Sequence, residues 1–111
     1  MKHAIQENAV DFENGKRITF EYPIREALDT GDVFIVCLDI PVQVKFNENV
    51  FGIGSGGSIL WQVKPTKHLI DVSPYVGLSQ QDKLVRLHNA DGMVYDVEPK
   101  TGRVVSELLA R

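Results

Sequence analysis

The sequence contains a single cysteine, Cys37, and so cannot form a disulfide bond within one chain. Small secreted domains usually depend on several disulfides, so we expect a reducing, cytoplasmic environment. Cys37 lies in the apolar run VFIVCLDI (residues 33–40), which predicts a buried thiol that packs as a small hydrophobic group. A nucleophilic cysteine would instead need a neighbouring histidine and an open, electropositive setting.

Basic residues are scattered and outnumbered. The chain has 12 Lys and Arg residues against 15 Asp and Glu residues, which gives a net charge of −3. Because nucleic acids and anionic lipid surfaces attract a basic face, neither is expected as a partner. The N-terminal stretch MKHAIQENAV lacks the long apolar run of a signal peptide, and no segment approaches the length of a membrane span.

Metal-binding and cofactor-binding patterns are also missing. The three histidines, His3, His68 and His88, do not have the spacing of metal ligands, and no cysteine pair supports them. The stretch Gly52-x-Gly54-x-x-Gly57 has the spacing of a dinucleotide-binding loop, but SILWQVKP follows it where that loop requires a helix. We therefore predict a hairpin turn here, with no bound cofactor and no metal.

What the chain does have is a period of two, which is typical of half-buried β-strands. Val10, Phe12, Ile18 and Phe20 alternate with polar residues on either side of Asn-Gly. A three-residue loop at 13–15 would place Val10 opposite Ile18, and its final glycine would adopt the positive φ that closes such a turn.

The same three-residue loop, with glycine in third position, is predicted at 55–57, 90–92 and 100–102. The cross-strand pairs that these loops predict are Ile53 with Ile59, Phe51 with Trp61, Leu87 with Tyr95, Val85 with Val97, and Val97 with Val105. One turn design is thus expected to recur along the chain.

The remaining segments give a mixed prediction. Residues 32–40 are apolar on both faces and predict a central strand, whereas 40–46 alternate as a strand that Pro41 weakens at its start. Residues 23–32 could hold one helical turn, and the C-terminal VVSELLAR could form a strand or a short helix.

Residues 64–81 are the least regular stretch, since Pro65, Pro74 and Gly77 interrupt them. Functional residues are often carried by long loops, so this segment is a candidate mouth for a binding site. The binding residues predicted there are His68, Asp71 and Tyr75.

Residues 83–105, KLVRLHNADGMVYDVEPKTGRVV, resemble the repeat of quinoprotein-type β-propellers: a strand, an Asp-Gly turn, a strand ending near Tyr, a Pro-x-Thr-Gly turn and another strand. Residues 49–63 resemble a second, degraded copy of this repeat. The resemblance implies a tight β-meander. A propeller needs about four blades or more, so this chain alone would not close one.

The stretch EALDTGD (26–32) resembles the active-site turn of retroviral-type aspartic proteases. That resemblance implies a homodimer in which Asp29 and its symmetry mate share one proton, Thr30 braces the carboxylates and Gly31 leaves space for substrate. Asp-Thr-Gly-Asp is also common turn chemistry before a strand.

Taken together, the sequence predicts a single all-β domain over residues 1–111, an antiparallel meander of hairpins forming a sandwich or partly open barrel with at most one short helix. We expect a non-catalytic binding module that associates with itself or with another protein, because short sheets leave edges that pairing would cover. The alternatives are the aspartic hydrolase and a small-molecule binder with its mouth at 64–81. The predicted core consists of Val10, Phe12, Ile18, Phe20, Phe51, Ile53, Trp61, Val85, Leu87, Tyr95 and Val97.

Overall fold

The computed structural model describes residues 3–109, and these form three antiparallel sheets without a helix. Each sheet is a meander of consecutive strands: β1–β3 form the first sheet, β4–β7 the second and β8–β11 the third. The predicted all-β meander is confirmed. The strands are β1 His3–Gln6, β2 Ala9–Phe12, β3 Arg17–Thr19, β4 Ile24–Asp29, β5 Val33–Leu38, β6 Val50–Gly54, β7 Ile59–Gln62, β8 Tyr75–Gln81, β9 Leu84–Asn89, β10 Met93–Val97 and β11 Val104–Leu109.

Four hairpins close as the glycine pattern predicts. The third residue of each predicted loop has a positive φ, between +72° and +89°, a conformation that side chains disfavour. These glycines are Gly15, Gly57, Gly92 and Gly102. The registers confirmed are Val10 with Ile18, Ile53 with Ile59, Leu87 with Tyr95, and Val85 with Val97.

Two predicted registers are wrong because each ladder contains a β-bulge. Trp61 pairs with Gly52 rather than with Phe51, and a Cβ on Gly52 would lie only 2.2 Å from the Trp61 indole. The indole therefore occupies space that only glycine leaves, and Phe51 and Trp61 face opposite sides of the sheet. In the last hairpin, a shift beside Asp96 pairs Val97 with Val104.

Three further expectations are corrected. The possible helical turn at 23–32 is mostly strand β4, paired along its length with β5. Residues 40–46 form no strand, because Pro41 ends the pairing and accepts a turn hydrogen bond from Val44 N at 3.1 Å. The irregular segment is shorter than predicted, since residues 75–81 form strand β8.

Two hydrophobic cores lie on opposite faces of the second sheet. The first core packs the first sheet against the second through residues such as Phe12, Phe34 and Val36, and the second core packs the second sheet against the third through Ile35 and Leu87. The predicted core residues divide between these two layers. All of them are buried except Ile18 and Phe51, which are partly buried.

The second and third sheets are joined by hydrogen bonds between their edge strands β4 and β8. At this edge, Arg25 Nε donates to Val76 O at 2.9 Å, and Leu78 N donates to Glu26 Oε1 at 2.8 Å, which joins β4 to β8. The opposite edge strands, β7 and β11, have no described strand beyond them. Strands β7 and β11 are therefore the free edges on this side of the two sheets.

Candidate functional site

Three aromatic side chains cluster beneath the irregular segment at 63–74. His68, Tyr75 and Tyr95 pack edge to face, with ring centroids 5.9 Å apart from His68 to each tyrosine and 5.7 Å between the tyrosines. The His68 side chain is only 3% exposed. Of the three residues predicted to bind in this segment, His68 and Tyr75 are thus adjacent, and a binding role for them stays a prediction.

Asp91 anchors the segment from the neighbouring hairpin turn. Its buried carboxylate lies 3.4 Å from His68 Nδ1 and accepts hydrogen bonds from Leu69 N at 3.0 Å and Met93 N at 2.9 Å. Tyr95 Oη also lies 3.4 Å from His68 Nδ1. The imidazole is therefore held in one orientation by two polar groups.

Asp71 lies apart from this cluster. Its carboxylate accepts a hydrogen bond from Lys45 Nζ at 2.6 Å, and both side chains are largely exposed. Asp91 was predicted only as a turn residue, and Tyr95 only as a core residue. The Asp-Gly turn is a partial indication of this role, because the carboxylate of a turn aspartate can accept backbone hydrogen bonds.

The start of β8 is fixed by one buried side chain. Asn49 Nδ2 donates to Leu38 O and Tyr75 O at 2.8 Å each, and Asn49 Oδ1 accepts from Tyr75 N at 2.8 Å. The amide thus replaces the ladder bonds that β5 and β8 cannot make directly. Tyr75 is held rigidly as a result.

The backbone of Tyr75 is fully hydrogen-bonded, but its side-chain hydroxyl is not. The residue is 2% exposed, and its hydroxyl has no hydrogen-bond partner within residues 3–109. Burial, together with the nearby Tyr95 and Asp91, raises the pKa of Tyr75, so the phenol stays protonated and can donate. A buried hydroxyl of this kind requires an explanation, since nearly all such groups are paired.

The Asp29 turn has well-defined hydrogen bonds. Asp29 Oδ1 accepts from Gly31 N at 2.8 Å, Asp29 Oδ2 lies 3.8 Å from His3 Nδ1, and Thr30 Oγ1 donates to Val33 O at 2.9 Å. Gly31 has φ +99°, which favours glycine. These bonds close a tight turn between β4 and β5, and the aspartic hydrolase stays a prediction.

Cys37 is buried, as its apolar neighbours predict. Its Sγ donates to Tyr75 O at 3.3 Å, and burial raises the pKa of the thiol to about 12. Because the thiolate is the nucleophilic form, burial disfavours the reactive state of this cysteine at neutral pH.

Strand β11 differs from every other element near the site. It is the edge strand of a four-stranded sheet, and all six of its residues are exposed. Its large apolar side chains are between 39% and 50% exposed. These side chains belong to Val104, Val105, Leu108 and Leu109.

Metal-ligand clusters and membrane-spanning helices were also considered for the described part of the chain. Within residues 3–109, no three His, Cys, Asp or Glu side chains converge as metal ligands would. No helix long and apolar enough to cross a membrane occurs in the same range.

The fold and site define a small all-β protein of three stacked meanders with an open sheet edge. A family model described as a domain of unknown function, DUF7957, matches residues 2–108, and the chain belongs to this family. No curated protein matches the chain. Residues 49–63 and 83–105 do form hairpins, while a relation to propeller repeats stays a prediction.

Proposed function

We propose that this protein is a non-catalytic interaction module that self-associates through β11. The supporting observation is the exposure of every residue of this edge strand, four of which are valine or leucine. Single exposed apolar residues are common on protein surfaces, but an exposed edge strand rich in apolar side chains is a template for pairing with another chain.

A second copy of the same strand is the partner that fits best. A twofold axis perpendicular to the third sheet at Ser106 would pair β11 antiparallel with its copy. Val104 would then lie opposite Leu108 of the second copy, and the small Ser106 would meet its counterpart at the axis. The two third sheets would form one continuous sheet of eight strands, which removes two free edges.

The test is the mass of the protein in solution, measured by sedimentation or light scattering. We expect the wild type to be a dimer and Leu108→Lys to be a monomer, because a lysine on the edge leaves a charge in the apolar seam. Leu69→Lys is the matched control, since Leu69 is 67% exposed and belongs to the irregular segment rather than to β11. A monomeric wild type, or a dimeric Leu108→Lys, would contradict the proposal.

A cross-linking experiment tests the register. A short bismaleimide should link two copies of Ser106→Cys, whereas Ser55→Cys, in an exposed hairpin loop, should stay unlinked. The buried native Cys37 should not react in either variant. Equal linking of both variants would rule out pairing about Ser106.

A further inference from the structure

The turn at Asn14-Gly15 is chemically labile. Asn14 is the only one of the five asparagines in the sequence that is followed by glycine. Both residues are exposed, and Gly15 has φ +87°. Because glycine lacks a side chain, its nitrogen is uncrowded and its backbone rotates more freely than that of other residues. In this setting, a backbone nitrogen can attack the side-chain amide that precedes it.

The chemistry is an intramolecular deamidation. The nitrogen of Gly15 loses its proton and attacks Cγ of Asn14, a new C–N bond closes a succinimide ring, and the side-chain nitrogen takes up a proton and leaves as ammonia. Water then opens the ring at either carbonyl group and produces aspartate or isoaspartate. Water is the only co-reactant, and the net change replaces the amide –NH2 by –OH. The resulting carboxyl group is ionised at neutral pH.

The Asn14 side chain ties the β2–β3 loop of the first sheet to the β6–β7 loop of the second. Asn14 Nδ2 donates to Gly56 O at 3.0 Å, and Asn14 Oδ1 accepts from Lys16 N at 3.0 Å. The two hairpin ends also approach closely, since a Cβ added to Gly57 would lie 3.1 Å from Lys16 Cβ. The side-chain amide is therefore both the reactive group and a polar contact between the two loops.

The reaction requires a local opening of the β2–β3 loop. Gly15 N donates to Phe12 O at 3.0 Å, and this hydrogen bond must break together with the one from Asn14 to Gly56. Asn14 and Gly56 are both exposed, so little buried surface holds the two loops together. Exposed hydrogen bonds with few buried contacts around them open at a small free-energy cost, which allows the folded protein to react.

We propose that Asn14 deamidates spontaneously in the folded protein and that the modification releases the β2–β3 loop from the β6–β7 loop. A carboxylate at position 14 has no hydrogen to donate, and it would face the carbonyl oxygen of Gly56, which is also an acceptor. Isoaspartate would in addition lengthen the main chain within a short loop whose geometry sets the register of its hairpin. None of these groups belongs to β11, so the modification is independent of self-association.

The test is peptide mapping by mass spectrometry after incubation of the folded protein at mildly alkaline pH, which favours the deprotonated nitrogen. Asn8 is the matched internal control, because it lies in the same tryptic peptide, residues 3–16. Its Nδ2 also donates to a backbone oxygen, that of Phe20 at 2.9 Å, but Ala9 follows it. We expect Asn14 to deamidate about tenfold faster than Asn8. A rate at Asn14 no higher than that at Asn8 would overturn the proposal.

The release of the loop is tested in Asn14→Asp by hydrogen exchange of the Gly57 amide. Gly57 N donates to Gly54 O within the β6–β7 loop, and its exchange should accelerate about threefold when the contact with the β2–β3 loop is lost. Asn14→Gln is the control, because it keeps an amide donor and its longer side chain closes a ring more slowly. Its mass should stay constant on incubation, and Gly57 should exchange as in the unmodified wild type. Equal exchange in Asn14→Asp and the unmodified wild type would overturn the release of the loop.

Discussion

Strands β5 and β11 are both rich in apolar residues but have opposite surroundings. Both have six residues, VFIVCL in β5 and VVSELL in β11, and both are rich in β-branched and aliphatic side chains. Every residue of β5 is buried, and every residue of β11 is exposed. Apolar composition therefore specifies that a strand forms, while the elements on either side decide whether it is buried.

The difference follows from sheet order. β5 is an inner strand of the second sheet, which has a hydrophobic core on each face. β11 ends the third sheet, beyond the cover that the second sheet provides. Full burial of a valine or leucine contributes roughly 1.5–3 kcal/mol, and because the β11 side chains are still 39–50% exposed, a partner strand would add part of that amount.

The largest expected effect comes from truncating the same side chain in both strands. Leu38→Ala in β5 should lower the free energy of unfolding by roughly 3–4 kcal/mol, because Leu38 is fully buried and its loss leaves a cavity. Leu108→Ala in β11 should change the stability of the monomer by less than about 0.5 kcal/mol. Denaturant unfolding at low protein concentration measures both. Similar losses for the two variants would invalidate the comparison.

A somewhat smaller effect is expected from the side chain that ties β5 to the third sheet. Asn49→Ala should cost about 2–3 kcal/mol, since it removes the side-chain partner of Leu38 O and Tyr75 N and leaves Tyr75 O with only the weak Cys37 thiol donor. Hydrogen exchange of the Tyr75 amide should also accelerate. Asn14→Ala is the control, because the Asn14 amide bonds Gly56 O at an exposed site. A stable Asn49→Ala with an unchanged amide would show that β5 is buried without this tie.

The hairpins were largely predictable because their turn chemistry is local. A glycine three residues after the last paired position gave correct registers at Val10 and Leu87. The bulges were not predictable in this way, since the one beside Gly52 accommodates the Trp61 indole, which also packs against Gly102 from a distant turn. Turn rules based on neighbouring residues could not predict that contact.

The candidate site was predictable only as a region. Breaks in periodicity identified the segment that carries His68 and Tyr75, but not the buried carboxylate of Asp91 that anchors it from another hairpin. The exposure of β11 was not predictable either, because the sequence VVSELL does not indicate which strands lie on either side of it. Sheet order, which links residues far apart in sequence, decides both features.

The smallest expected effect concerns two Arg–Asp ion pairs that differ in burial. Arg86 and Asp96 lie directly opposite in the third sheet and share two hydrogen bonds, of 2.8 Å and 3.0 Å, as Arg17 and Asp11 do in the first sheet. The Asp96 side chain is 9% exposed and that of Asp11 is 35% exposed. The more buried Arg86–Asp96 pair should therefore contribute more to stability than the Arg17–Asp11 pair.

Asp96→Asn should lower the free energy of unfolding by about 1–2 kcal/mol at neutral pH, and Asp11→Asn should lower it less. The hydrogen bonds from Arg86 hold the pKa of Asp96 below its usual value, so the carboxylate stabilises the folded state above its unfolded pKa of about 3.9. This contribution is lost as the pH falls through the lower, folded pKa. Urea unfolding from neutral pH down to about pH 2 should show the gap between wild type and Asp96→Asn narrowing. A gap that stays constant with pH, or equal losses for Asp11 and Asp96, would show that burial does not strengthen the pair.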